Sequence, residues 1–284
     1  MLQQRIFTSI FGLLTLIGVF SSERIWIIQS FFVVIVALSC WEIASIIFPR
    51  LEITVQNHNG LEKGEDLISR KTSIVLATLL GVIAFTASSS SSAQGALGLI
   101  LASIMAAMVI GSFSTRNVEL AAVRIIGFMV TVCYGALPWM ALWGLYFLIP
   151  GGLGLFFLLT VVWAGDTGAY FGGLAWGKNR LAPWLSPKKT IEGAFFGLLA
   201  SAFSGLLFHH LFLEEYFHWS EIILAALVAG VFGQIGDLVE SLWKRFSMVK
   251  DSGSILPGHG GFLDRVDGLL FAGPMVWFIL HIVR

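Results

Sequence analysis

Apolar residues run along this chain in blocks of about the length a bilayer demands, broken by short polar stretches. A helix rises 1.5 Å per residue, so roughly 20 apolar residues cross a hydrocarbon core about 30 Å thick. Nine blocks approach that length: 6–21, 25–48, 73–89, 94–112, 119–148, 152–171, 191–213, 221–243 and 267–283. They predict an all-α, polytopic integral membrane protein with about nine transmembrane helices. The fifth block is too long for one straight span. Either Pro138 kinks it, or it is a span plus a short re-entrant piece. Arg5, the apolar run Ile6 to Phe20 and two serines resemble a signal peptide, but further blocks follow at once, so a retained first helix is expected. The serines of 88–92 read as a short interhelical turn.

Composition supports lipid as the solvent. The 284 residues are 57% hydrophobic and 12% charged, whereas a soluble domain is nearer half apolar and a quarter charged. Net charge is zero, which leaves no electrostatic footprint for nucleic acid as a partner. Cys40 and Cys133 lie in apolar runs and read as buried small hydrophobes. No Cys/His cluster has zinc spacing.

Loop charge predicts the orientation. Segment 172–190 carries Lys178, Arg180, Lys188 and Lys189 without an acid, and 244–266 carries Lys244, Arg245, Lys250 and Arg265. Segment 214–221 carries Glu214, Glu215 and Glu221 without a base. The first two are expected on the cytoplasmic side and the third outside. The division of labour falls near residue 150: 1–150 reads as N-terminal transmembrane helices, 151–284 as a catalytic transmembrane region. Glu42 is the exception in the first half. An acid there is costly, and is read as snorkelling, paired with an Arg or His, or functional.

Three polar clusters sit at predicted helix ends. In "WAGDTGAYFGGLAWGKNRLAPWLSPKKTIEG", Asp166 lies about a turn from the end of an apolar helix. It is either a solvation device or part of a phosphate site. "GGLAWGKN" nearly matches a Walker loop through Gly172, Gly177 and Lys178, but Asn179 replaces the required Ser or Thr and no strand precedes it. A P-loop fold is excluded. What remains is small residues that let backbone N–H groups approach an anion, with Lys supplying charge. Lys188 and Lys189 precede a helix expected to begin near Thr190, a position that suits a phosphate and equally suits positive-inside anchoring. In "GQIGDLVESLWKR", Asp237, Glu240 and Ser241 share a helical face. In "KDSGSILPGHGGFLDRVDG", the glycines and Pro257 exclude a regular helix, and Asp264 and Asp267 open the last apolar block. Carboxylates, bases and Gly-rich turns on one side suggest a metal–polyphosphate site, with Asp237, Asp264, Asp267 and Asp166 as metal candidates and Mg²⁺, one ion or two, as the cofactor.

The spacing of Ser241, Lys244-Arg245, Lys250-Asp251, His259-Gly260-Gly261, Asp264-Arg265 and Asp267 resembles the signature of the phosphatidate cytidylyltransferases, or CDP-diacylglycerol synthases. "DTGAYFGG…GKNRLAPWLSPKKTIEG" is similar to a second block of that family, except that Gly173 stands where members often carry Lys or Arg. The resemblance implies that CTP and phosphatidic acid give CDP-diacylglycerol and pyrophosphate, in a bacterial inner membrane with the site facing the cytoplasm. It implies a catalytic set of Lys250, Asp251, His259, Arg265, Lys244 and Arg245. It adds substrate contacts at Lys178, Lys188, Lys189, Ser241, Gly260 and Gly261. CTP, phosphatidic acid and membrane lipid are the expected partners, and a homodimer the assembly considered. Other readings are a different CTP-dependent lipid phosphotransferase, such as an ether-lipid CDP synthase, and a transporter. A CDP-alcohol phosphotransferase would need "DGxxAR…GxxxDxxxD", which is absent, and transport sites lie at the midplane between repeats, whereas these acids gather at one side.

The orientation is testable. In a background lacking Cys40 and Cys133, a single Cys at Ser186 should label with an impermeant maleimide only from the cytoplasmic side, and one at Ser220 only from outside. The reverse pattern would overturn the assignment.

Overall fold

The computed structural model describes residues 2–22, 24–59, 67–89, 93–258 and 260–283. Ten α-helices account for most of it: α1 Leu2–Phe20, α2 Ile25–Asn59, α3 Arg70–Ser89, α4 Ala93–Ser112, α5 Val118–Val130, α6 Leu137–Leu148, α7 Leu153–Trp176, α8 Ile191–Phe208, α9 Trp219–Phe246 and α10 Asp267–Val283. The protein is an all-α polytopic membrane protein. Among the described residues, seven helical segments are long and apolar enough to span: Ile25–Val55, Arg70–Ser89, Gly95–Ser112, Val118–Leu148, Pro150–Trp176, Ile191–Leu213 and Trp219–Phe246. Ile10–Phe20 and Asp267–Val283 are shorter apolar helices among the described residues, so the nine expected blocks are all helical, and among the described residues seven reach spanning length.

The long fifth block is a continuous helix, not a span plus a re-entrant piece. Its middle, Thr131–Ala136, is π-helical, with the Leu137 N–H reaching back to the Val132 carbonyl. Pro138 follows directly. Its ring would crowd the carbonyl four residues earlier and it donates no hydrogen bond, and the widened turn accommodates both defects. A small antiparallel hairpin, β1 Arg180–Ala182 and β2 Ser186–Thr190, interrupts the helical fold. The serine turn falls partly on 90–92, outside the described residues.

The chain divides into two compact units, Met1–Met140 with Trp243–Asp264, and Ala141–Leu242 with Arg265–Arg284. These boundaries differ from a cut near residue 150, because the polar segment after α9 groups with the N-terminal helices. In the first unit, Ala44, Phe48, Ile74, Ala77, Leu80, Ala107, Phe128 and Val132 form a buried core, with Phe48 and Phe128 edge to face at 5.2 Å. Beside it lies a buried ionic cluster. Arg124, 0% exposed, donates to Glu52 Oε1 through Nε (3.1 Å) and Nη2 (3.0 Å), and through Nη1 to the carbonyls of Ile68 (2.9 Å) and Ser114 (3.0 Å). Arg70 completes it, 2.6 Å from Glu52 Oε2. One guanidinium thus ties α2 and α5 to the chain segments that precede α3 and follow α4.

In the second unit, α7 and α8 pack through small residues. A Cβ on Gly168 would meet Ala200 at 2.5 Å, one on Gly197 would meet Ala169 at 3.0 Å, and those on Gly165 and Gly172 would strike Ser201 and Phe196. Without a hydrophobic drive between helices in lipid, such close packing is what associates them. The seam explains why "GDTGAYFGGLAW" stays helical to Trp176. Asp166 therefore lies ten residues inside α7, not one turn from its end, and Gly172 and Gly173 belong to a helix, not to an anion-binding loop.

Replacing Arg124 by Leu strands Glu52 with half-exposed Arg70 as its remaining charged partner. Breaking a buried pair costs about 3–5 kcal/mol, so the thermal midpoint in detergent should fall sharply. Adding Glu52→Leu should recover part of it, since no buried carboxylate then remains. Equal midpoints for the single and double variants would refute this account.

Candidate active site

The second unit gathers acids at one end of α8, α9 and α10. Thr190 caps α8, its Oγ1 accepting the Gly193 N–H at 3.1 Å, so the helix begins where the sequence indicated. Side chains alternate along β2. Lys188 is exposed, while Lys189 turns inward and pairs with Asp237 Oδ2 at 2.5 Å. Glu240 follows Asp237 by three residues on the same face of α9 and is buried. Asp267 opens α10, one oxygen accepting the Gly268 N–H at 2.9 Å. Carboxylate oxygens of Asp237, Glu240 and Asp267 all lie within 4.8 Å of one another. Gly236 allows this approach, because a Cβ there would sit 2.5 Å from the Asp267 carbonyl oxygen. Asp166 stands near enough for the charges of Asp237 and Lys189 to act on it.

Three hard oxygen donors suit Mg²⁺. At about 2.1 Å from the ion, trans oxygens of an octahedron stand about 4.2 Å apart and cis oxygens about 3.0 Å, so the three side chains would close in on a bound ion. The cluster differs from the expected set of Asp237, Asp264, Asp267 and Asp166, for Asp264 and Asp166 are not part of it. Glu240 joins Asp237 and Asp267, and the signal for it was its i+3 spacing from Asp237.

The anion cradle anticipated around "GKN" exists, but the protein fills it. Glu192, in the first turn of α8, accepts the backbone N–H of Lys178 (3.0 Å) and of Asn179 (3.1 Å), and Asn179 Nδ2 (2.8 Å). This folds the hairpin onto α8. The side chains of Lys178 and Arg180 are exposed.

In the first unit, Asp264 organises the segment after α9. Its Oδ1 pairs with Lys244 Nζ at 2.7 Å, and its Oδ2 accepts the Ser252 N–H (3.0 Å), Ser252 Oγ–H (3.0 Å) and Gly261 N–H (2.9 Å). Asp264 and Asp267, three residues apart, thus serve different partners. The turn before them closes through Leu256 N–H to the Gly260 carbonyl (3.0 Å). Gly258 and Gly260 have φ of 77° and 83°, values that favour glycine. His259 lies outside the described residues. Lys250, Asp251, Arg245 and Arg265 are exposed, and Ser241 is half-buried on α9. Among the described residues Glu42 has no Arg or His partner of the kind expected. It accepts hydrogen bonds from Phe262 and Leu263 N–H and from Ser252, contacts that sequence periodicity does not signal.

Fold and site define a helical integral membrane protein with carboxylates and lysines clustered at helix ends. A model of the cytidylyltransferase family matches residues 3–283, and the chain belongs to that family. Among curated relatives, a phosphatidate cytidylyltransferase of Staphylococcus epidermidis is 42% identical over 151 residues, covering 52% of this chain and 58% of the relative. That of Bacillus subtilis is 45% identical over 126 residues, covering 44% and 46%. That of Staphylococcus aureus is 40% identical over 151 residues, covering 52% and 58%. The matched region spans about half the length of these relatives.

The geometry separates the acids by experiment. Glu240→Gln and Asp267→Asn should each weaken Mn²⁺ binding, read by electron paramagnetic resonance, by at least tenfold, since a charged contact contributes about 1.5–3 kcal/mol. Asp264→Asn should leave Mn²⁺ affinity nearly unchanged while loosening 252–261. A large affinity loss in Asp264→Asn alone would place the ion elsewhere.

Proposed function

We propose that this chain catalyses cytidylyl transfer from CTP to phosphatidic acid. The observation that carries the reading is the convergence of Asp237, Glu240 and Asp267 beside Lys189, in a member of the cytidylyltransferase family. A phosphate oxygen of phosphatidic acid attacks the α-phosphorus of CTP. The bond from that phosphorus to the β-bridging oxygen breaks, and pyrophosphate leaves. The phosphomonoester has a second pKa near about 6 and is already anionic at neutral pH, so no strong general base is required. The obstacle is the approach of two polyanions, which positioning and charge neutralisation overcome.

Asp237, Glu240 and Asp267 would hold Mg²⁺, which supplies positive charge to the triphosphate. Lys244, Arg245, Lys250 and Arg265 neutralise phosphates. Asp251, His259, Gly260 and Gly261 shape the nucleotide pocket, Ser241 contacts substrate, and Lys178 adds charge at the hairpin. The cytoplasmic face of a bacterial inner membrane suits this arrangement, because CTP is cytosolic and the lipid phosphate lies at the interface. Lys189 is the stronger candidate of the lysine pair for the lipid phosphate, because its Nζ already reaches the acidic cluster and Lys188 faces away.

Purified protein should incorporate radiolabelled CTP into extractable lipid when given phosphatidic acid and Mg²⁺, and EDTA should stop it. Incorporation with an ether-lipid acceptor alone would select the other lipid class, and none with either would refute the reading. Lys189→Gln should raise the apparent KM for phosphatidic acid about 10- to 150-fold, with a smaller effect on CTP. Lys188→Gln should leave both nearly unchanged. Equal effects of the two substitutions would remove Lys189 from the lipid site.

A further inference from the structure

Glu42 is 2% exposed, in the middle of a membrane-spanning helix. Its Oε1 accepts the Phe262 N–H at 2.9 Å. Its Oε2 accepts the Leu263 N–H at 2.8 Å and the Ser252 hydroxyl at 3.0 Å. All three donors belong to the polar segment after α9, more than 200 residues away in sequence. Two glycines make room for the carboxylate. A Cβ on Gly253 would lie 2.9 Å from Glu42 Cδ, and one on Gly261 would lie 2.8 Å from Oε2. The same segment is held a second time by its side chain. Phe262 stacks on Trp139 at 6.1 Å, and Trp139 Nε1 donates to Ser39 Oγ at 3.1 Å, one turn before Glu42 on α2.

The Ser252 Oγ also lies 3.0 Å from Asp264 Oδ2, so its single hydrogen is shared between the two carboxylates. Glu42, Ser252 and Asp264 therefore form one chain of polar contacts, from the interior of a spanning helix to the Lys244 ammonium. A carboxylate in an apolar helix is expensive. It is retained here where its loss would release the segment that carries Gly260, Gly261 and Asp264.

We propose that Glu42 is a positioning residue: it sets the conformation of segment 252–264 and, through it, the affinity for nucleotide. The second clause rests on the cytidylyl-transfer reading. The first stands on geometry alone. The substitution that discriminates is Glu42→Gln. Both oxygens of the carboxylate accept backbone N–H groups, whereas an amide offers one oxygen. Either orientation of the Gln side chain sets an NH₂ against an N–H.

The experiment combines hydrogen exchange and kinetics on the full-length protein in detergent or nanodiscs. In Glu42→Gln, amides of peptides covering 252–263 should exchange at least tenfold faster, as expected when a contact worth about a decade in population is lost. The kcat/KM for CTP should fall about 10- to 100-fold, with the apparent KM for phosphatidic acid unchanged. Gly253→Ala attacks the same contact from the loop side and leaves α2 intact. It should give the same exchange and kinetic pattern, and it decides the matter if Glu42→Gln fails to fold. Wild-type exchange at 252–263 in a folded variant overturns the proposal. So does a loss of activity toward both substrates that merely follows the folded fraction. A wild-type protein without CTP incorporation sinks the functional reading, while the exchange measurement still decides whether Glu42 holds the segment.

Discussion

A carboxylate inside a spanning helix loses hydration worth several kcal/mol and must recover it from the protein. Among the described residues the chain meets this demand at three buried glutamates, Glu42, Glu52 and Glu240, each in a different setting. Glu52 is answered by charge, through Arg124 and Arg70, and the result ties helices to the connecting segments. Glu42 is answered by N–H and O–H donors, and the result is a defined path for an otherwise irregular segment. Glu240 stands among other acids, with Asp237 and Asp267 close by. This last arrangement brings three carboxylates together, which is why it is the one suited to a cation.

The basic residues divide in the same way. Lys244 and Lys189 are both ion-paired, but with acids of different standing. Asp264 has both oxygens engaged by several donors, so its ion pair is part of a structural node. Asp237 is half-exposed and shares its surroundings with two further carboxylates. An ammonium held by a solvent-accessible acid exchanges partners far more readily than one locked into a hydrogen-bonded node. Two lysines that look alike in sequence are thereby given different mobility.

Much of this was legible in the sequence. Apolar block length located the spanning helices, and a helix start was expected near Thr190, which caps α8. The i+3 spacing placed Glu240 beside Asp237. Other features were hidden for physical reasons. "GDTGAYFGGLAWG" carries the glycines of a loop, and only the presence of a partner helix lined with small residues turns them into a packing seam. The two acids of "DRVD" look equivalent, yet a short 3₁₀ turn at Leu263–Arg265 and the start of α10 send them to different partners. The alternation that separates Lys188 from Lys189 needs a strand where no strand was expected. Glu42 meets its partners across a sequence distance that local periodicity cannot encode.

The seam between α7 and α8 also bears on how lipids move. Where Gly165, Gly168 and Gly172 of one helix face Ser201, Ala200 and Phe196 of the other, there is no space even for an added methyl group. An acyl chain, a string of methylenes about as wide as a methyl, has no slot there. Passage of an acyl chain between α7 and α8 is therefore barred along these positions.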